Sequence, residues 1–250
     1  MKHLALIPAR MGSSRFPGKP LAPIAGKPMI GHIVERVSAC RLLTHTAVAT
    51  PDEEIAEYVR SIGASAVMTS HSHVRASDRC AEALAILEEE HGIRYDSVVM
   101  VQGDEPLVTA GMIEEALVPI EADSSVEVVN LLGTFTTEEE FESPHSIKVV
   151  VDSVSDALYF SRRPIPTGAP DAKVPRYKQV CIIPFRRDFL IEYTNLTPTP
   201  LEIAESIDML RVLEHGRKVR MVPTAYESHP VDTEEDLARV EQMMTAARKR

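Results

Sequence analysis

Strand-length apolar runs alternate with helical periodicity from residue 4 to residue 102, and this alternation constrains the fold more than any other feature of the chain. Leu4 to Ile7 is an unbroken apolar run. A Pro/Gly/Ser/Arg stretch follows from Pro8 to Pro20, and Met29 to Ala39 then spaces its apolar residues as a helix does. The pattern repeats. Thr46 to Ala49 reads as a strand and Pro51 to Ser61 as a helix with Glu53 and Glu54 in its first turn. Ala66 to Thr69 is a short strand, and Ser77 to His91 a long helix with Ser77 as its N-cap and Asp78 near its positive end. Ser97 to Gln102 is the next buried strand. Such alternation predicts an α/β protein: a mostly parallel sheet covered by helices on both faces, a three-layer sandwich.

The rhythm changes past about residue 120. Glu127 to Leu132, Ile147 to Val151, Leu158 to Ser161 and Val180 to Phe185 read as strands, with a Pro- and Gly-rich loop before the last. Leu201 to Leu213 reads as a helix, Val219 to Val222 as a late strand, and Asp232 to Ala247 as a closing helix. The expectation is one domain over 1–250 with an inserted antiparallel element at about 125–205. A length of 250 residues and 44% hydrophobic content suffice for one such core.

The formal charge of −10, from 27 basic and 37 acidic residues, argues against nucleic acid or an anionic membrane as partner. It leaves room for a small anionic substrate held by a local cluster of cations. Cys40, Cys80 and Cys181 are far apart and form no CxxC, which reads as reduced thiols in an intracellular protein. The N-terminal apolar run stops at Pro8, too short for a signal peptide or a membrane span, so a cytoplasmic location is expected.

Three segments carry chemistry. The first is Pro8 to Pro20, PARMGSSRFPGKP, in a strand-to-helix crossing. Gly12 and Gly18 let backbone approach a ligand, Ser13 and Ser14 add donors, and Arg10, Arg15 and Lys19 add charge. Together they suit a polyphosphate, although this is no Walker A loop, and a solvated turn-rich loop is the plain alternative. The second is Gln102-Gly103-Asp104-Glu105-Pro106, directly after a buried strand, at the sheet edge where α/β ligands bind. A carboxylate there can hold Mg2+, and an ordinary Gly-Asp turn is the alternative. The third, Val231 to Leu237 (VDTEEDL), reads locally as a helix cap with an acidic first turn. His3, His32, His45 and His91 read as surface or packing residues.

PARxxSxRxPGKP, GKPMI (Gly26 to Ile30), QGDEP, LYFSRxxIP (Leu158 to Pro166), RRDFL (Arg186 to Leu190) and VDTxEDL stand in an order and spacing that resemble the CMP-Kdo synthetases, the 3-deoxy-manno-octulosonate cytidylyltransferases. The resemblance runs almost the full length. It implies a Rossmann-like fold of the nucleotide-diphospho-sugar transferase type, and an Mg2+-dependent enzyme that joins CTP to a 2-keto-3-deoxy sugar acid, releasing pyrophosphate. It implies that Arg10, Gly12, Ser13, Ser14, Arg15 and Lys19, with Ser77 and Arg79, hold the nucleotide. Lys19, Arg10, Asp104 and Gln102 lie at the reaction centre, and Asp104 with Asp232 holds the metal. Arg79, Gln102, Arg162, Gln179, Ile183, Phe185, Glu205, Asp208 and Met209 face the sugar. A homodimer is implied, with the inserted element at the sugar and at the subunit interface. A nucleotidyltransferase for a different acidic acceptor and an inactive nucleotide- or sugar-binding relative are the other readings.

The chain departs from the family's pattern mainly on the sugar side. HxSGT[DE]R is His73-Val74-Arg75-Ala76-Ser77-Asp78-Arg79 here. HxGxYxY is Gln179-Val180-Cys181-Ile182-Ile183-Pro184-Phe185, and ExLEQLR is Glu205-Ser206-Ile207-Asp208-Met209-Leu210-Arg211. Hydrogen-bonding groups are lost at 183, 185 and 209, which points to a modified or different ulosonic acid as acceptor, with drift within a true CMP-Kdo synthetase, compensated by other residues, as the alternative.

Overall fold

The apolar run at the N-terminus becomes β1 (His3–Pro8), and all six of its residues are buried. The structure is a computed structural model and describes residues 1–12, 16–168 and 174–248. The chain divides into two units, Met1–Glu114 with Ser228–Arg250, and Glu115–Glu227.

In the first unit β1 is buried on both faces because it is central. It pairs in parallel with β4 (Leu43–Thr50) on one side and β6 (Ser97–Val101) on the other, and β4 pairs in parallel with β5 (Ser65–Met68). A strand so placed needs apolar side chains on both faces, hence the unbroken run. His3 is accommodated there by a 2.6 Å bond between its Nδ1 and Ser97 Oγ. Between β1 and the first helix lie a one-turn 3-10 helix (Lys19–Leu21) and a small hairpin, β2 (Pro23–Ile24) and β3 (Lys27–Pro28). The connecting helices α1 (Met29–Ser38), α2 (Glu53–Ser61) and α3 (Ala76–His91) pack on the sheet. Buried His32 donates from Nε2 to Ile24 O at 2.8 Å, while Tyr95 OH bridges His45 (2.7 Å) and His91 (2.8 Å). α4 (Ala110–Ala122) leads into the second unit, and α9 (Glu234–Arg248) belongs to the first.

The second unit has its own sheet, built from β7 (Val129–Thr134), β8 (Lys148–Val151), β9 (Ala157–Ser161), β10 (Tyr177–Val180) and β12 (Arg220–Pro223). The order is β12-β7-β10-β8-β9, and every pairing is antiparallel except β12 with β7. It also carries α5 (Glu138–Glu142), β11 (Ile182–Arg186), α6 (Arg187–Asn195), α7 (Pro200–Glu205) and α8 (Asp208–Glu214). The three cysteines are free, and burial pushes the Cys80 thiol pKa up. No helix among the described residues is long and apolar enough to cross a membrane.

The α/β class and the mostly parallel sheet agree with the sequence. Three local expectations do not. The single strand over Val180–Phe185 breaks at Cys181 into β10 and β11. The single helix over Leu201–Leu213 is two, because Ser206 takes the left-handed conformation (φ 53°) and ends α7. Ser77 is not the cap of α3 but lies inside it, after Arg75 at the N-cap position. The helices α4 and α6 were not legible as elements: the one is apolar nearly all round with Pro119 inside, the other opens on charged residues.

Candidate active site

Lys19, Asp104 and Asp232 meet in the first unit although 213 positions separate the first from the last. The Lys19 ammonium donates to Asp104 Oδ2 at 3.0 Å, to Val231 O at 2.7 Å and to Asp232 Oδ1 at 3.3 Å. Its side chain is only 11% exposed, whereas the two carboxylates keep 29% and 22% of theirs.

Each member is fixed by local chemistry. Gly18 (φ 75°) adopts a conformation that favours glycine, and its N–H donates to Met11 O at 3.0 Å, closing the loop just before Lys19. Gly103 precedes Asp104 because a side chain there cannot fit: an added Cβ would stand 2.6 Å from Pro8 O. The Val231 N–H donates to Asp104 O at 2.9 Å, which ties the returning chain to the end of β6. Glu105, 3% exposed, takes the Ser228 hydroxyl on both oxygens, at 2.8 and 2.9 Å. Thr233 and Asp236 close a reciprocal cap on α9. Asp236 Oδ2 accepts the N–H groups of Asp232 and Thr233 at 3.1 and 3.0 Å, and Thr233 Oγ1 accepts from Asp236 N at 3.2 Å. The acidic first turn is therefore both a cap and the holder of Asp232.

Gln102 is half-buried at the end of β6, its carbonyl accepting from Glu105 N at 3.2 Å. Gly12 is exposed, with nothing within 4 Å of an added Cβ. Ser13, Ser14 and Arg15 lie outside the described residues. Arg10 is exposed, and its charge is one cause of the lowered pKa of Arg79, after burial. Two like charges held near each other favour an anion between them. Arg79 is 3% exposed; its guanidinium donates to Thr69 Oγ1 (3.0 Å), Ser70 O (3.4 Å) and His73 O (3.2 Å), bracing the loop before α3. The Ser77 hydroxyl is fully buried and has no hydrogen-bond partner among the described residues. Asp52 was not singled out from the sequence. Its Oδ2 accepts the Met11 N–H at 2.7 Å and so anchors the start of the phosphate-type loop.

The remaining residues lie in the second unit. Arg162 donates from Nε to Glu205 O (2.6 Å), from Nη1 to Pro144 O (3.1 Å) and from Nη2 to Ser206 O (3.2 Å). Glu205 Oε2 accepts the Arg162 backbone N–H at 2.9 Å. The ammonium of fully buried Lys148 caps the carbonyls of Ser143, Ser146 and Arg162, and burial lowers its pKa. Asp208 opens α8, half-buried. Ile183, Phe185 and Met209 are buried, with Phe185 packed against Phe189 and Tyr193. Gln179 is half-buried and bonded to Asn130, a residue the sequence reading passed over as part of a strand.

Paired carboxylates around one cation, at the end of a glycine-bearing loop, suit a metal–polyphosphate ligand. The comparisons agree with that chemistry. The family model described as cytidylyltransferase matches residues 4–219. A 3-deoxy-manno-octulosonate cytidylyltransferase of Geobacter metallireducens is 43% identical over 96% of this chain and 96% of its own. Another, of Syntrophus aciditrophicus, is 42% identical over 97% of each. A solved structure of CMP:2-keto-3-deoxy-manno-octonic acid synthetase complexed with CTP superposes with a TM-score of 0.90 at 36% identity, over 99% of this chain and 100% of that one. From its Lys19–Asp104–Asp232 cluster, and from these likenesses along nearly its whole length, the chain belongs to the cytidylyltransferase family of enzymes.

Proposed function

We propose that this enzyme transfers CMP from CTP to the anomeric hydroxyl of a 2-keto-3-deoxy sugar acid of the Kdo type, with Mg2+ held by Asp104 and Asp232. The observation that carries this is the convergence of both carboxylates on the Lys19 ammonium. Two carboxylates that already share one positive charge have the donor set of a Mg2+ site, which takes one or two carboxylates and completes its shell with phosphate oxygens and water. Bound there, the ion supplies neutralisation of phosphate charge.

The chain's own residues do the rest. Arg10, the Met11–Gly18 loop and Lys19 receive and orient the triphosphate; Ser77 and Arg79 sit at the base end. The acceptor oxygen forms a new P–O bond at the α-phosphorus as the bond to the bridging oxygen breaks and pyrophosphate leaves. Positioning and charge offset supply the rate, with no enzyme-bound intermediate. The apolar side chains at 183, 185 and 209 are buried, so packing accounts for them without a changed acceptor. The test is pyrophosphate release from CTP, Mg2+ and Kdo. No release with Kdo or with any related 2-keto-3-deoxy acid, while CTP still binds, would leave the inactive-relative reading in place.

The same reading includes a cytoplasmic homodimer in which residues at about 125–205 serve the acceptor and the subunit interface; its support is the family resemblance. Sedimentation of the purified chain as a monomer at micromolar concentration would remove the dimer.

A further inference from the structure

Asp52 stands where a helix cap belongs and does something else. It is the N-cap residue of α2, a position where an aspartate side chain ordinarily accepts an N–H of its own first turn. No such bond forms. The carboxylate turns instead to a different segment, and its Oδ2 accepts the Met11 N–H at 2.7 Å. The Asp52 backbone is held as well, its N–H donating to the hydroxyl of fully buried Thr50 at 3.1 Å.

This bond continues the sheet by means of a side chain. β1 and β4 run in parallel, and the ladder reaches Ala9, whose N–H donates to Ala49 O at 3.0 Å. A longer ladder would offer the Met11 N–H the Pro51 carbonyl, two residues further along both segments. β4 ends at Thr50, and the Asp52 carboxylate takes that place. Arg10 therefore lies between two N–H groups that are both held. Because the peptide is planar, holding the Met11 N–H also sets the Arg10 carbonyl. The Met11 carbonyl accepts from Gly18 N at 3.0 Å, so the two ends of the loop are joined and Met11 fastens them to the turn between β4 and α2. The charges lie together too. Burial, and then the Arg10 charge, hold the Arg79 pKa below its ordinary value, and the Asp52 carboxylate acts in the opposite sense. A carboxylate this close to a polyphosphate site repels the ligand, so its presence needs an offsetting gain. A loop fixed before the ligand arrives is such a gain, because less ordering is left for binding to do.

We infer that Asp52 is a positioning residue for the nucleotide: by holding the Met11 N–H it presets Arg10 and the loop that follows for the triphosphate, in place of capping its own helix. This rests on the function proposed above and adds a residue to it.

The experiment is calorimetric titration of CTP, with Mg2+ and without acceptor, into the full chain and three variants, followed by CMP-transfer kinetics. Asp52→Asn keeps an oxygen that reaches the Met11 N–H and can also cap α2. Asp52→Ser caps a helix well, but its hydroxyl is one bond shorter and does not reach Met11. Asp52→Ala does neither. CTP is expected to bind roughly 10-fold or more weakly to the Ala and Ser variants, and within about threefold of the unaltered chain to the Asn variant. KM for CTP follows the same order, while KM for the sugar acid and kcat at saturating CTP change by less than about threefold. Recovery of CTP affinity in Asp52→Ser would assign the residue to the helix cap, and Asp52→Asn as weak as Asp52→Ala would assign it to charge; either overturns the inference, as does unchanged CTP affinity in Asp52→Ala. Should the Ala variant fail to fold, as its melting curve would show, the comparison of Ser with Asn decides. If the unaltered chain binds CTP but passes CMP to no 2-keto-3-deoxy acid, the proposed function falls while the binding comparison still judges Asp52; if it binds no CTP, both fall.

Discussion

Asp104 owes its place to the glycine before it and to the backbone of Val231, not to a partner that stabilises the fold. Its carboxylate stays part exposed and faces Lys19. Asp104→Asn keeps the size and the bond to Lys19 but removes the charge that a metal needs. Turnover is expected to fall about 100-fold or more, with the thermal unfolding midpoint essentially unchanged. A variant with full activity would disprove the metal role given to Asp104. At this scale the sequence was readable where a residue type has few other uses. Lys19 and Asp104 stood out because they sit in short, glycine-bearing crossings after buried strands. Asp232 looked like a plain helix cap, and locally it is part of one. Asn130 lies inside the run Val128-Val129-Asn130-Leu131-Leu132, and a lone polar residue in an otherwise apolar strand was the signal that could have found it.

Among the elements, β1, α1, α3 and β6 were legible because long apolar periods end at clear turn residues. The split between α7 and α8 was not, because its cause is tertiary. Glu202 on α7 is fully buried, and both of its oxygens bind the Arg211 guanidinium of α8, at 2.7 and 2.6 Å. The pair folds the two short helices back on each other, and the Glu202 carboxylate is what raises the Arg211 pKa. Nothing in the spacing of Leu201 to Leu213 announces this; a continuous helix satisfies the same apolar pattern. Arg211→Met strands a buried carboxylate and is expected to lower unfolding free energy by about 3–5 kcal/mol in urea titration. Adding Glu202→Leu to it should recover most of the loss. If the double variant is as unstable as the single one, the pair is not what holds α7 to α8.

The molecule as a whole should lose stability in acid in two stages. Burial, and then the charge of His91, hold the His45 imidazole below its ordinary 6.5. The unfolded chain therefore takes up this proton first, and the contribution begins to fade as pH drops below about 6.5. Asp156 and Asp236 lie below the ordinary 3.8. Burial pushes each up, but Arg220 and Lys218 outweigh it for Asp156, and the Asp232 N–H, Thr233 and Arg239 for Asp236. A depressed carboxylate stabilises above its unfolded value and stops doing so as pH falls through its folded one. Urea midpoints should decline gently below about pH 6.5 and steeply below about pH 4. His45→Gln should erase the gentle stage alone; a stage that survives it belongs to another group.

The Lys19 ammonium has one more consequence. A nucleotide-binding cleft that gathers carboxylates for a divalent ion is exposed to mutual repulsion whenever the ion departs, and many such proteins loosen on chelation. Here the fold carries its own resident counter-charge. EDTA should silence the enzyme while leaving its melting curve where it was, so that idle molecules wait, intact, for the next round of nucleotide and metal; a melting point that drops by several degrees on chelation would show the lysine insufficient for that duty.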